Sequence, residues 1–290
     1  MTDVRKVRPS AGAEWLLGGF ALLRRSPFGL GLLGAIFGLI AVVLAMFAMS
    51  SPALVMIQQL VMALLGPLLV AGMIWAAREV DQGRSANPSH LLRGIQDGKT
   101  GRLWATLLPQ IAAGVVAVLL LMLMIGPTHL QALVAAAEQA QGQTQPDPSL
   151  FAGLPLGRLF LWLLLVLAIG IIAGFFTFTA IPDMMFRNVG ALDAMKRSFR
   201  ACVVNLPALI VFFVLLVIAA VCLSIAAQIV GFVVKLVAGE TAMLFVVQIL
   251  LMAVLLPVVT GAMYYAWKQL VAGEDASAPP SERDATIVEA

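Results

Sequence analysis

Six long apolar segments constrain the possible folds of this chain more than any other feature of its sequence. They extend over about Phe28–Met49, Ala53–Ala77, Leu103–Ile125, Leu156–Ala180, Leu206–Val230 and Met243–Trp267. Each is close to the ~20 residues that a helix needs to cross a hydrocarbon core of roughly 30 Å. None carries a charge at mid-depth, so each can satisfy its backbone as a helix without placing an ion in lipid. The sequence predicts an all-α, polytopic membrane protein with six transmembrane helices.

Lysine and arginine residues predict the orientation of these spans. Of the 18 basic residues, 16 fall in the two terminal segments and in the second and fourth loops, which leaves only Arg158 and Lys235 on the other side. Loops on the cytoplasmic side of a membrane carry an excess of Lys and Arg. Both termini are therefore predicted to be cytoplasmic.

The composition excludes several other classes of protein. With 61% hydrophobic and 11% charged residues, the chain is not typical of a soluble domain. Its basic residues are spread among loops without interleaved aromatic side chains, which excludes nucleic acid as an expected partner. Cys202 and Cys222 would lie about 30 Å apart on one helix, too far for a disulfide within the chain. We interpret both as small packing residues.

An internal repeat is predicted from the match between spans two and six. Residues 58–83 and 248–273 share nine identities in 26 aligned positions, including Gln, Pro and Gly. We therefore expect one membrane domain over residues 11–271, built from three tandem two-span units. The units cover about 11–83, 86–190 and 191–273, between an N-terminal tail of residues 1–10 and a C-terminal tail of residues 272–290. The C-terminal tail is polar and contains Pro, which predicts disorder.

A second recurring element precedes the odd-numbered spans. One apolar stripe at helical spacing is formed by Trp15, Leu16, Gly19, Phe20 and Leu23, and another by Ala191, Met195, Phe199 and Cys202. Residues 90–96 repeat the pattern more weakly, after a helix start at Asn87. Basic residues off these stripes predict amphipathic helices in the cytoplasmic interface. The candidates for docking a partner or an anionic head group, or for simple anchoring, are Arg24, Arg25, Lys196, Arg197 and Arg200.

Polar and small residues within the spans are further candidates. Gln58, Gln228 and Gln248 are predicted at a similar depth, where they would line a recess that binds a neutral or zwitterionic head group, or bond between helices. Pro67, Pro182 and Pro257 lie in the cytoplasmic halves or ends of the inward-running spans and predict helix kinks, functional or simply tolerated. Gly34 with Gly38, and Gly170 with Gly174, predict close helix approach within the chain or between copies. Asp183 is expected to pair with Arg187.

Sequence motifs do not indicate catalysis. Gly98-Lys99-Thr100 lacks the first glycine of a phosphate-binding loop, since that position is Arg93, and no strand precedes it. His90 and His129 are predicted on opposite faces of the membrane, which excludes a shared metal or acid–base site. We predict no catalytic residue, no metal site and no cofactor, and expect that the protein is not an enzyme.

The residues from Ile181 onward carry a family resemblance. The matching positions are Ala194, Lys196 or Arg197, Ser198, Phe199, Ala201, Cys202, Asn205 and Pro207, together with Phe20, Arg24, Arg25 and Ser26-Pro27 near the N-terminus. This pattern resembles a large group of proteobacterial six-span inner-membrane proteins of unknown function. The layout is also distantly similar to the membrane domain fused to some glycerophosphodiester phosphodiesterases. The resemblance implies a fold and a location but no activity, because no phosphodiesterase residues are present.

Two functions are compatible with these patterns. The first is a non-enzymatic inner-membrane protein that acts in envelope assembly or as an accessory to a membrane complex. The alternative is a small transporter or lipid-handling protein that uses the level of Gln58, Gln228 and Gln248. The expected partners are membrane lipids and either another membrane protein or a second copy of the chain. The lack of a mid-membrane carboxylate argues against proton-coupled transport.

Overall fold

The protein is described by a computed structural model over residues 4–48, 51–140 and 153–273, and in these ranges it is all-helical. Its α-helices are α1 (Ala11–Arg25), α2 (Pro27–Ala48), α3 (Pro52–Asp81), α4 (Arg93–Gln96), α5 (Thr100–Trp104), α6 (Leu107–Ala140), α7 (Leu156–Phe175), α8 (Ala180–Phe186), α9 (Ala191–Val204) and α10 (Leu206–Trp267). Five helical segments are long and apolar enough to cross a membrane. The chain is therefore a membrane-embedded, multi-pass protein. Most of the predicted C-terminal tail, residues 274–290, lies outside the described residues.

Helix α10 covers both of the last two predicted spans. Its backbone leaves the helical region at Gly239, where φ is 86° and ψ is 177°, a conformation that glycine adopts readily and other residues do not. A Cβ atom on Gly231 would lie 2.4 Å from Cγ2 of Val247, whereas these residues would be about 24 Å apart along a straight helix. The chain therefore folds back at Gly239, which divides α10 into helical segments at 206–238 and 240–267.

Two other predicted spans differ from the structure at their ends. Helix α6 continues past the predicted end at Ile125, but its backbone is non-helical at Gly126, with φ 76° and ψ 161°. The predicted fourth span is divided, because α7 ends at Phe175 and α8 begins at Ala180. Pro182 is the third residue of α8, within the first turn, where its missing N–H has no intrahelical partner to lose. The helical path of the predicted span is interrupted at residues 176–179, just before this turn, and a kink caused by Pro182 itself stays a prediction.

The helices form two compact units. Unit 1 comprises Met1–Leu107 with Phe176–Ala290, and unit 2 comprises Leu108–Phe175. In unit 1, α10 packs against α1, α2 and α3. The buried residues of α3 lie between Pro67 and Val80, and the end of α10 from Pro257 to Trp267 is also mostly buried. The core of unit 1 thus lies where α1 meets the last turns of α3 and α10.

Glycines allow these helices to approach closely. A Cβ atom on Gly12 would lie 2.0 Å from the carbonyl oxygen of Ala208, and one on Gly19 would lie 2.2 Å from that of Val258. The close approach predicted at Gly34 and Gly38 is confirmed, because a Cβ atom at either would clash with Met252. At Gly170 and Gly174 a Cβ atom would meet no atom of unit 2 within 4 Å, and the close approach predicted for this second pair stays a prediction.

The apolar stripes of α1 and α9 are covered by protein. Trp15 and Leu22 on α1 are completely buried, and Met195 and Cys202 on α9 are nearly so. Burial raises the pKa of the Cys202 thiol to about 12, so this cysteine is an unreactive packing residue, as predicted. The stripes stabilise contacts within unit 1. A position for α1 and α9 in the membrane interface stays a prediction.

Candidate functional site

A buried cluster around Asp81, which we call the Asp81 cluster, joins the last turn of α3 to the end of α10. The side chain of Lys268 is 2% exposed, and its Nζ lies 2.9 Å from Oδ2 of Asp81. The Tyr264 hydroxyl donates to Oδ2 at 3.0 Å and the Tyr265 hydroxyl to Oδ1 at 2.9 Å. Nη1 of Arg25 lies 3.8 Å from Oδ1. Since a buried ammonium is costly without a counter-charge, Asp81 holds Lys268 in the core.

A second buried carboxylate, Asp183 on α8, forms what we call the Asp183 cluster. Asp183 is 1% exposed, and its Oδ1 accepts a hydrogen bond from Nε1 of Trp267 at 3.1 Å. The predicted pair with Arg187 is confirmed at 3.8 Å between Nη1 and Oδ1. A closer ion pair comes from α9, where Nη2 of Arg197 lies 3.2 Å from Oδ2. Arg197, one of the predicted docking residues, is thus paired with a carboxylate of the chain itself.

Aromatic side chains connect the two clusters. The ring of Phe186, the last residue of α8, lies with its centroid 5.1 Å from that of Trp267 and 5.8 Å from that of Tyr264. On its α3 side, the Phe186 ring is 5.8 Å from the ring of Trp75 and 4.8 Å from Cζ of Arg78. These contacts combine aromatic packing with a cation–π interaction. The ends of α3, α8 and α10 therefore form one continuous polar and aromatic layer.

Asn205, between α9 and α10, fixes the N-terminal segment to this layer. Its Oδ1 accepts a hydrogen bond from the backbone N–H of Val7 at 2.7 Å, and its Nδ2 donates to the carbonyl of Arg5 at 3.0 Å. The backbone N–H of Arg5 also donates to the carbonyl of Leu270 at 3.1 Å. Asn205 is 2% exposed. These hydrogen bonds hold residues 5–7, which have no regular secondary structure, against α9 and α10.

A basic cavity of about 520 Å³ opens beside the first turns of α9. Its walls come from Val4, from the loop at residues 188–190, and from the α9 side chains Asp193, Lys196, Arg197 and Arg200. Lys196 and Arg200 are exposed, whereas Arg197 is half-buried. Three of the five predicted docking residues thus line one cavity. The other two, Arg24 and Arg25, lie at the end of α1, where Arg25 contacts the Asp81 cluster.

The three candidate glutamines lie in different surroundings. Gln58 on α3 and Gln248 on α10 are half-buried, and Gln228 on α10 is exposed. Pro67 and Pro257 are buried inside α3 and α10, and the backbone stays helical at both. The polar recess at the level of the glutamines stays a prediction.

Substitution of the two half-buried glutamines tests whether their amides bond inside the bundle. We expect Gln58→Leu combined with Gln248→Leu to lower the free energy of unfolding in detergent by about 1–3 kcal/mol, because each lost interhelical hydrogen bond costs roughly 0.6–2 kcal/mol. The control is Gln228→Leu, which should change the free energy by less than about 0.5 kcal/mol because Gln228 is exposed. If the double variant and the control change the free energy of unfolding equally, the amides of Gln58 and Gln248 do not bond inside the bundle.

Comparison with family models, with curated proteins and with solved structures finds no match to this chain. The site is therefore argued from its own residues. Sequence reasoning did not single out Asp81, Tyr264, Tyr265 or Trp267, because each falls at a predicted span end, where polar and aromatic residues are ordinary. The internal repeat gave one indication of this site, because Lys268 occupies the position that corresponds to Arg78.

Proposed function

We propose that this chain is a non-enzymatic inner-membrane protein with six spans, whose termini and layer of Asp81, Asp183 and Lys268 are on the cytoplasmic side. The fold-back of α10 at Gly239 supports two spans in place of one long helix. The distribution of basic residues supports the orientation. We include in this proposal the three tandem two-span units and membership of the six-span group that the sequence resembles.

Within that frame, the protein acts as an accessory or assembly factor for a membrane complex. The observation that carries this role is the apolar surface of unit 2. Leu108, Ile111, Leu123, Leu163 and Leu167 are all more than half exposed. A hydrogen bond from Nε1 of Trp162 to the carbonyl of Ala117, at 2.9 Å, joins α6 to α7. Within unit 2 these apolar side chains are not covered by the neighbouring helix, and we assign them to contact with lipid or with another protein.

Small residues on unit 2 favour a protein partner over lipid alone. Gly114 on α6 and Gly170 on α7 would each accept a Cβ atom without meeting an atom of unit 2 within 4 Å. Helices in a bilayer associate by close packing at such small residues, since lipid offers no hydrophobic driving force between them. In unit 1, glycines such as Gly34 pack closely against another helix of the same unit. We therefore assign α6 and α7 as the surface that contacts the partner, either another membrane protein or a second copy.

Site-specific photo-crosslinking in native membranes tests this role. A photoreactive phenylalanine analogue replaces Ile171, beside Gly170 on α7, and in a matched variant it replaces Phe213, an exposed residue of α10 in unit 1. We expect a stoichiometric protein adduct from position 171 and only a trace from position 213. A mass equal to twice that of the chain would identify a second copy as the partner. Lipid adducts alone at position 171 would contradict the accessory role.

A further inference from the structure

The basic cavity beside α9 combines opposed walls with an excess of positive charge. The surrounding basic side chains are Arg102, Arg187, Lys196, Arg197 and Arg200, and the acidic ones are Asp183 and Asp193. Asp183 is shared between Arg187 and Arg197. Asp193 lies in the first turn of α9, where the helix dipole stabilises a carboxylate. Lys196 and Arg200 add further positive charge to the cavity wall.

Lys196 and Arg200 are spaced to act on one anion. They are four residues apart on α9, so their Cβ atoms lie about 6 Å from each other on the same side of the helix. An arginine guanidinium can bind a phosphate with two parallel hydrogen bonds, and a lysine adds a point charge. A volume of about 520 Å³ falls within the range of roughly 300–1,000 Å³ that is typical of small-molecule sites.

Contacts from other elements hold the walls of the cavity in place. Nη1 of Arg102 on α5 donates to Oδ1 of Asn188 at 2.8 Å and to the carbonyl of Val189 at 3.4 Å. Asn205 fixes residues 5–7, which follow the lining residue Val4. The Arg197 guanidinium is oriented by Asp183. Binding therefore requires little ordering of the backbone, which favours affinity.

We propose that this cavity binds the phosphate group of an anionic membrane lipid. The position of α9 favours a lipid as the source of that phosphate, because α9 ends at Val204 and an apolar, membrane-length segment begins at Leu206. The interfacial position predicted for α9 would place the cavity at head-group level. The proposal goes beyond the accessory role and does not depend on it, because a lipid site can exist with or without a protein partner.

Lipid binding to the purified, full-length protein tests the site. Phosphatidylglycerol and phosphatidylcholine are titrated separately against the protein in neutral detergent, and bound lipid is counted by native mass spectrometry. The test variant is Lys196→Gln with Arg200→Gln. The control is Arg158→Gln with Lys235→Gln, which removes the same charge from two exposed residues that the sequence predicts on the other side of the membrane. Inorganic phosphate and glycerol 3-phosphate are then added as soluble competitors.

We expect one phosphatidylglycerol per chain, bound in preference to phosphatidylcholine. Each Lys or Arg contributes roughly 1 kcal/mol to binding of an anionic lipid surface, so the test variant should bind about thirty-fold more weakly. The control should change affinity by less than about threefold, and Lys196→Arg should retain binding and show that the fold tolerates change there. If glycerol 3-phosphate displaces the lipid and also binds when no lipid is present, the phosphate site stands. Its occupant is then a soluble phosphate ester and not a lipid. Equal losses in the test and control variants, or no preference for the anionic lipid, would overturn the proposal.

Discussion

Replacement of Asp81 by asparagine should lower the free energy of unfolding by about 3–5 kcal/mol. The substitution keeps the shape of the side chain but leaves the Lys268 ammonium, 2% exposed, without a counter-charge. It also weakens the hydrogen bonds from the hydroxyls of Tyr264 and Tyr265. The measurement is equilibrium unfolding of the purified protein in mixed micelles, followed by tryptophan fluorescence.

Asp97→Asn is the matched control for this substitution. Asp97 pairs with Arg93 at 3.1 Å, but the two side chains are 21% and 42% exposed, so its loss should cost less than about 1 kcal/mol. Combining Asp81→Asn with Lys268→Met should recover part of the loss, because the uncompensated charge is then absent. If Asp81→Asn costs no more than Asp97→Asn, the buried pair does not stabilise the ends of α3 and α10.

A methyl group added at Gly19 should destabilise the packing of α1 against α10. The Cβ atom of alanine would lie 2.2 Å from the carbonyl oxygen of Val258 and 3.1 Å from the nitrogen of Ala262. Both are backbone atoms, so one helix must shift as a whole. We expect Gly19→Ala to cost about 1–3 kcal/mol, and the addition of Gly12→Ala to cost more, since its Cβ atom would lie 2.0 Å from the carbonyl oxygen of Ala208. Unfolding in mixed micelles measures both variants.

Gly66→Ala on α3 separates this clash from the general effect of removing a glycine. Gly66 lies inside a helix of unit 1, and its added Cβ atom would meet nothing within 4 Å. Alanine is favoured over glycine in a helix by about 1 kcal/mol, so this variant should be unchanged or slightly more stable. If Gly19→Ala behaves like Gly66→Ala, α1 is not in close contact with α10.

The helical architecture could be predicted because its signals are local. An apolar run of about 20 residues has few alternatives to a helix in a membrane, and the observed starts of α2 and α3 at Pro27 and Pro52 lie one residue from the predicted ones. The helix start at Asn87 is also confirmed, since the short 3₁₀ helix Pro88–Leu92 follows it and the backbone N–H of Asn87 donates to Nδ1 of His90 at 3.3 Å. These features depend on neighbouring residues only.

The polar layer could not be predicted because its contacts join distant positions. Asp81 and Lys268 are 187 residues apart, and Asp183 and Trp267 are 84 residues apart. Each residue alone is ordinary at the end of a span, and only the folded chain shows that the four meet. The apolar stripes of α1 and α9 predict membrane-surface helices because local spacing does not show what covers the stripe. Their spacing is the same whether lipid or protein covers the apolar side.

Single-cysteine accessibility at the turn of α10 is the most direct test of the six-span proposal. In a background with Cys202→Ala and Cys222→Ala, the two positions are Glu240→Cys, next to the turn at Gly239, and Gln96→Cys, at the last residue of α4. Both native residues are exposed. A membrane-impermeant maleimide is added to intact cells and, separately, to permeabilised cells. The account predicts labelling at position 240 in intact cells and at position 96 only after permeabilisation. Protection of position 240 until permeabilisation, or labelling of both positions from the same side, would contradict the topology.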